Sequence, residues 1–214
     1  MKNNYFVKFC GITSTQDAKN AEKAGCNAIG FVFAKKSKRL ITPEKCQAII
    51  QQLSPMTLTV ALFANNSASE VQETLNICSP NVLQFHGEES PEFCQQWNRP
   101  YWKAIPMAEN IESENYVENY VESYVKRYAT AQAYLIDNFS KNTTGGSGEV
   151  FDWNKIPQNI DQRWILAGGL SPENIKIAKQ KTKIKCFDVS SGIEKSAGVK
   201  DYAKMQQFIK NLIS

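Results

Sequence analysis

The sequence predicts an α/β protein, a single (β/α)8 TIM barrel taking residues 1–214 as one domain. Three observations predict it. Eight apolar segments rich in Val, Ile, Leu and Phe alternate with amphipathic ones from end to end, as strands covered on both faces should. The spacing averages about 27 residues per unit, tight but suited to a compact barrel of ~200–250 residues. No linker or low-complexity break divides the chain. A doubly wound open sheet shares the alternation but more often stops at five or six strands.

The expected strands are YFVKFC (5–10), NAIGFVF (27–33), LTVALFAN (58–65), NVLQFHG (81–87), YWKAIPM (101–107), AYLIDN (133–138), WILAGGL (164–170) and CFDVSSG (186–192). Helices fill the gaps, and several carry start signals. Ser67 with Glu70 makes a capping box. Thr42-Pro43-Glu44, Ser90-Pro91-Glu92 and Ser171-Pro172-Glu173 each put proline at a first helical position. Gly25 reads as a helix stop. The segment 108–128, with its ENYV/ESYV echo, reads as an elongated fifth helix whose tyrosines and valines pack. A last helix near 200–213 sets Tyr202, Met205, Phe208, Ile209 and Leu212 at core-facing spacing.

Composition removes several function classes. A net charge of +4 with scattered lysines is weak for nucleic acid and suits a small anionic substrate. No apolar run reaches membrane-spanning length, and MKNNYFVKFC has no export-type apolar core, so no membrane partner and a cytoplasmic location are expected. The six cysteines are scattered without a C-x-x-C pair, the pattern of reduced thiols. One histidine, His86, rules out a multi-histidine metal site, and no metal is expected.

In a barrel the chemistry sits at the C-terminal strand ends and the loops that follow. That rule selects Cys10 after strand 1, Ser37 and Arg39 after strand 2, Gln84 and His86 at strand 4, Asp137 at strand 6 and Asp188 at strand 8. Three glycine turns follow the last strands: TTGGSGEVFDW (143–153), AGGL (167–170) and SSG (190–192). Their backbone N–H groups can approach a phosphate, with helix starts expected at Ser171 and after Gly192.

The residue types alone leave alternatives open. Asp137 after apolar YLI is either a general acid with a raised pKa or a loop cap. Cys10 is either a base or a buried inert thiol. Arg39, in the basic loop KKSKR, has solvated charge as its default reading, and His86 could equally be structural.

The ordered set KFCGIT, AGCNAIGFVF, SKRLI, LFAN, LQFHGEE, GGSGEVFDW, ILAGGLSPENI and FDVSSGIE resembles the phosphoribosylanthranilate isomerase family over nearly the whole chain. The resemblance implies a single barrel of the tryptophan pathway. It further implies an Amadori rearrangement of N-(5-phosphoribosyl)anthranilate without metal or cofactor, the third step from chorismate. By that resemblance Asp137 is the general acid that opens the ribose ring, and Cys10 is the general base at ribose C2. Arg39 would hold the anthranilate carboxylate or shape that end of the pocket. Phosphate would lie on amides of Gly145, Gly146, Ser147, Gly148, Gly168, Gly169, Ser191 and Gly192. Asp188, with Gln84 and His86, would face the sugar. Departures are small: Phe9 stands where Ile is common, and Ser147 where Thr is usual. A phosphorylated small molecule is the expected partner, with the chain a monomer or homodimer. Two rivals remain: the related sugar isomerase of the histidine pathway, which would carry aspartate at position 10, and a silent phosphate-binding barrel.

Overall fold

The computed structural model describes residues 4–107, 114–138, 153, 156 and 163–214. Eight parallel strands close in chain order: β1 (Phe6–Cys10), β2 (Ala28–Val32), β3 (Leu58–Phe63), β4 (Val82–Phe85), β5 (Tyr101–Met107), β6 (Ala133–Asn138), β7 (Trp164–Leu166) and β8 (Cys186–Val189). Each lies within a segment expected from the sequence. The helices α1 (Thr15–Ala24), α2 (Pro43–Ile50), α3 (Ala68–Cys78), α4 (Pro91–Gln95), α5 (Glu114–Arg127), α6 (Ile175–Thr182) and α7 (Tyr202–Ile213) run between and after the strands. Most of the β6–β7 connection lies outside the described residues, and with it the helix expected there.

The start signals act as their chemistry requires. Ser67 and Glu70 cap α3 reciprocally, Thr42 and Ser90 cap α2 and α4 ahead of their prolines, and Gly25 ends α1 at φ 101°. One start is misplaced. Ser171-Pro172-Glu173 forms a turn and α6 begins at Ile175, because Asn174 closes that turn: its Oδ1 accepts from Ser171 N (2.8 Å) and its Nδ2 donates to Gly169 O (2.8 Å). The segment after Gly192 also departs from expectation. Ser191–Ile193 is one short 3₁₀ turn, and a hairpin of β9 (Glu194–Ser196) and β10 (Val199–Lys200) precedes α7.

Period-2 alternation divides the core in two. Val60, Val82, Trp102, Ala104, Leu135 and Ile165 fill the barrel interior. Residues of the opposite parity, Val7, Phe9, Phe31, Phe63, Phe85 and Phe187, pack outward against the helices. Met205, Phe208 and Leu212 of α7 join that layer, with Tyr202 and Ile209 half-buried. Val121 of α5 is buried, and Tyr120, Tyr124 and Val125 pack beside it, so this helix serves the core; residues 108–113 are outside the description. Among the described residues no helix is long and apolar enough to cross a membrane.

Candidate active site

The same alternation turns Phe6, Lys8 and Cys10 of β1 inward, each one layer nearer the C-terminal mouth. At that mouth lies a cavity of ≈ 810 Å³, counting its solvent-open part. Cys10, Arg39, Gln84, His86, Asp137, Gly168, Gly169, Asp188 and Ser191 all line it. Val32, Ala34, Leu62 and Ala64 give it an apolar wall on the β2–β3 side.

Cys10 is 5 % exposed and faces this cavity. Burial raises its thiol above the ordinary value; the Lys8 ammonium opposes that rise, and Asp188 adds to it. Gly30 of β2, the register partner of Cys10, makes room for both inward side chains. A Cβ there would stand 2.7 Å from Lys8 Cε and 2.8 Å from Cys10 Sγ.

Lys8 is fully buried, and its ammonium donates to Gln84 Oε1 (2.7 Å) and Asp188 Oδ2 (2.7 Å). Desolvation alone would lower its pKa, but Asp188 and then Cys10 outweigh it and hold the ammonium above its ordinary value. Asp188 Oδ1 is buried and meets no donor among the described residues, so the cavity contains one unused carboxylate oxygen.

Gln84 Nε2 lies 3.3 Å from His86 Nδ1, and His86 Nε2 lies 2.9 Å from Asp137 Oδ2. The second separation is short, although the ring N–H is not aligned on that oxygen as a hydrogen bond requires. Lysine can only donate, so Lys8 fixes Gln84 with Oε1 toward itself and Nε2 toward the imidazole.

Arg39 is not a solvated loop charge. Its Nε and Nη2 donate to the two carboxylate oxygens of Glu194, both at 2.7 Å, and its side chain is only 12 % exposed. Gly11, at φ +74°, lets the arginine stem cross the chain: a Cβ there would stand 2.5 Å from Arg39 Cδ.

This frame has close relatives. The family model for N-(5'-phosphoribosyl)anthranilate isomerase matches residues 7–211. An N-(5'-phosphoribosyl)anthranilate isomerase of Nitrosococcus oceani is 42% identical over 208 residues, covering 97% of either chain. The crystal structure of the Thermotoga maritima phosphoribosyl anthranilate isomerase superposes with a TM-score of 0.83 at 32% identity, over 97% of this chain and 98% of that one. A phosphoribosyl anthranilate isomerase solved with reduced 1-(o-carboxyphenylamino)-1-deoxyribulose 5-phosphate gives 0.77 at 30%, with the same coverage. The chain belongs to the N-(5'-phosphoribosyl)anthranilate isomerase family.

For a member of the isomerase family the sequence-derived residues fall into three groups. Cys10, Arg39, Gln84, His86, Asp137, Asp188, Gly168, Gly169 and Ser191 share one cavity. Gly192 is not part of its lining; a Cβ there would collide with the carbonyl oxygen of Leu170, so this glycine lets the β7 and β8 loops touch. Gly145, Gly146, Ser147 and Gly148 lie outside the described residues. α6 begins at Ile175 and not at Ser171, and a short 3₁₀ turn followed by a hairpin stands where a helix start was expected after Gly192.

Lys8, Gly30, Glu194 and Lys200 were not read as site residues. Lys8 carries a visible signal: a charge between Val7 and Phe9 in an apolar strand, in step with Cys10. Gly30 inside NAIGFVF is a second. Glu194 and Lys200 have no such mark.

Proposed function

We propose that the chain isomerises N-(5'-phosphoribosyl)anthranilate to 1-(2-carboxyphenylamino)-1-deoxy-D-ribulose 5-phosphate, with Asp137 as general acid and Cys10 as general base. This is the third step from chorismate to tryptophan. The observation that carries it is the meeting of these two side chains, from β6 and β1, in one cavity that is apolar toward β2–β3 and glycine-lined toward β7.

Asp137 gives its proton to the ribose ring oxygen as the C1–O bond breaks, and the anilino nitrogen lone pair forms the iminium. The iminium is an electron sink, so Cys10, as thiolate, can take the proton from C2 and leave an enolamine. The enolamine gains a proton at C1 and loses one from the C2 hydroxyl, which gives the ketone. Protons balance, as an isomerisation requires.

The binding groups follow from the lining. Val32, Leu62 and the adjoining alanines suit the aromatic ring, with Arg39 at that end for its carboxylate. Asp188 Oδ1 meets no donor among the described residues, and a ribose hydroxyl supplies one. Gly168, Gly169 and Ser191, together with the loop 145–148 and Gly192, take the phosphate on backbone amides. The chain acts as a monomer or a homodimer in the cytoplasm on a small phosphorylated substrate.

The test is turnover followed by loss of substrate fluorescence. Cys10→Ala and Asp137→Ala should each lose about 10²–10⁴ in kcat while still binding the reduced product analogue. Near-wild-type turnover in Asp137→Ala overturns the acid assignment, and an inactive wild-type protein overturns the function.

A further inference from the structure

Arg39 approaches the cavity already committed to a buried carboxylate. Glu194 Oε1 accepts from Arg39 Nε and from Lys200 Nζ, each at 2.7 Å, while Oε2 accepts from Arg39 Nη2 at 2.7 Å. The Glu194 side chain is 5 % exposed and that of Lys200 is 0 %. Lys200 also donates to Ser190 O (3.1 Å), and Ser190 Oγ donates to the carbonyl of Cys10 (3.1 Å). The hairpin sets Glu194 and Lys200 opposite one another in register, and Thr13 Oγ1 ties its tip at Gly198 O (2.7 Å). Two cations therefore share one carboxylate, and the cluster keeps one positive charge beside the cavity.

A guanidinium has two edges that can grip a carboxylate, Nε–Nη2 and Nη1–Nη2. Here the first is consumed by Glu194, and among the described residues the second meets no acceptor. We propose that Glu194, held by Lys200, is a positioning residue for substrate selection, fixing Arg39 so that its Nη1–Nη2 edge meets the anthranilate carboxylate. This rests on the reading of Arg39 as the group that receives that carboxylate. A loose arginine would have to be ordered at each binding event, whereas this one is ordered beforehand. The selectivity gained is for an aromatic ring bearing a carboxylate over the same ring without one.

The experiment compares two ligands by calorimetry: reduced 1-(o-carboxyphenylamino)-1-deoxyribulose 5-phosphate and its phenylamino counterpart lacking the carboxylate. In the wild-type chain the carboxylated ligand binds more tightly. Glu194→Gln should shrink that preference by about tenfold, the scale of one charge-assisted hydrogen bond. Affinity for the phenylamino ligand should stay within about twofold, and substrate KM should rise more than kcat falls. Glu194→Asp, which keeps the charge but cannot span both cations, should fall between the two. This variant is read if Glu194→Gln fails to fold. An undiminished preference in a folded variant, or an equal loss for both ligands, overturns the proposal. Arg39→Ala separates the underlying reading: if that variant keeps the preference, Arg39 does not receive the carboxylate at all.

Discussion

Lys8 Nζ stands 2.7 Å from Asp188 Oδ2 and 2.7 Å from Gln84 Oε1, inside the barrel one layer below Cys10. The charges nearest the thiol are Lys8 on its own strand, Asp188 on β8, Lys200 on the hairpin and Arg39 on the β2 loop. Burial lifts the thiol, and Lys8 is the strongest influence in the other direction. Lys8→Met should therefore lift it further. Turnover that needs the thiolate rises as pH passes the thiol pKa, so that limb of the kcat–pH profile should move to higher pH. Alkylation at Cys10 should slow at fixed pH. The variant also strands the Asp188 carboxylate, at a cost of about 3–5 kcal/mol in urea unfolding. An unshifted pH profile in a folded variant would show that Lys8 does not tune Cys10.

The Lys8–Gln84 contact dictates a proton position two residues away. With Gln84 Nε2 directed at His86 Nδ1, that ring nitrogen accepts, and the imidazole proton sits on Nε2, the nitrogen 2.9 Å from Asp137 Oδ2. The chain holds one histidine, so histidine-labelled protein gives a single pair of ring ¹⁵N signals. In the neutral imidazole these should report the Nε2–H tautomer. Gln84→Leu removes the donor and should bring in the Nδ1–H tautomer, with a fall in kcat. A predominant Nδ1–H form in the wild-type protein would refute the orientation.

The eight strands were legible because each is a short apolar run with a clear boundary, and the loop rule then delivered Cys10, Asp137 and Asp188 to one cavity. What was not legible has physical reasons. Lys8 hides when FVKFC is read as one apolar run, and shows itself only when the period of two is applied residue by residue. Arg39 looked solvated because its partner, Glu194, lies 155 residues further on. The start of α6 slipped because Asn174 can close the Ser-Pro-Glu turn with its own side chain, a competition that serine and proline signals do not reveal. The hairpin of β9 and β10 occupies the stretch after Gly192 where a helix start is expected from the sequence.

Two thiols far from the chemistry should contribute to a loss of stability at alkaline pH. Burial, with Glu22 nearby, pushes Cys26 up to about 12, and burial pushes Cys94 to about 12 against the pull of Lys103. Below the ordinary thiol value of 9.0 both states hold these protons and nothing changes. As pH rises from there toward about 12, the unfolded chain releases them and the folded chain does not, so stability falls. Urea unfolding at about pH 8 and about pH 10.5 should show the drop, and Cys26→Ala should reduce it. Equal pH sensitivity in that variant would assign the effect elsewhere.

Gly11 and Gly25 both adopt left-handed backbone, at φ +74° and +101°, yet a methyl group meets different surroundings at each. At Gly25 the nearest atom to an added Cβ is Ile209 Cγ2 at 3.9 Å, an ordinary contact. At Gly11 it is Arg39 Cδ at 2.5 Å, with Ser190 Oγ at 3.1 Å. The arginine cannot swing aside without releasing Glu194, because its far end is held there by two bonds of 2.7 Å. Gly11→Ala and Gly25→Ala should each lose about 1–3 kcal/mol of stability from backbone strain. Only Gly11→Ala should also raise KM, through displacement of Arg39 and, one residue back, of Cys10. Steady-state kinetics on the two variants, matched by their unfolding midpoints, separates strain from site damage. A normal KM in folded Gly11→Ala would mean that the arginine stem has another path into the cavity.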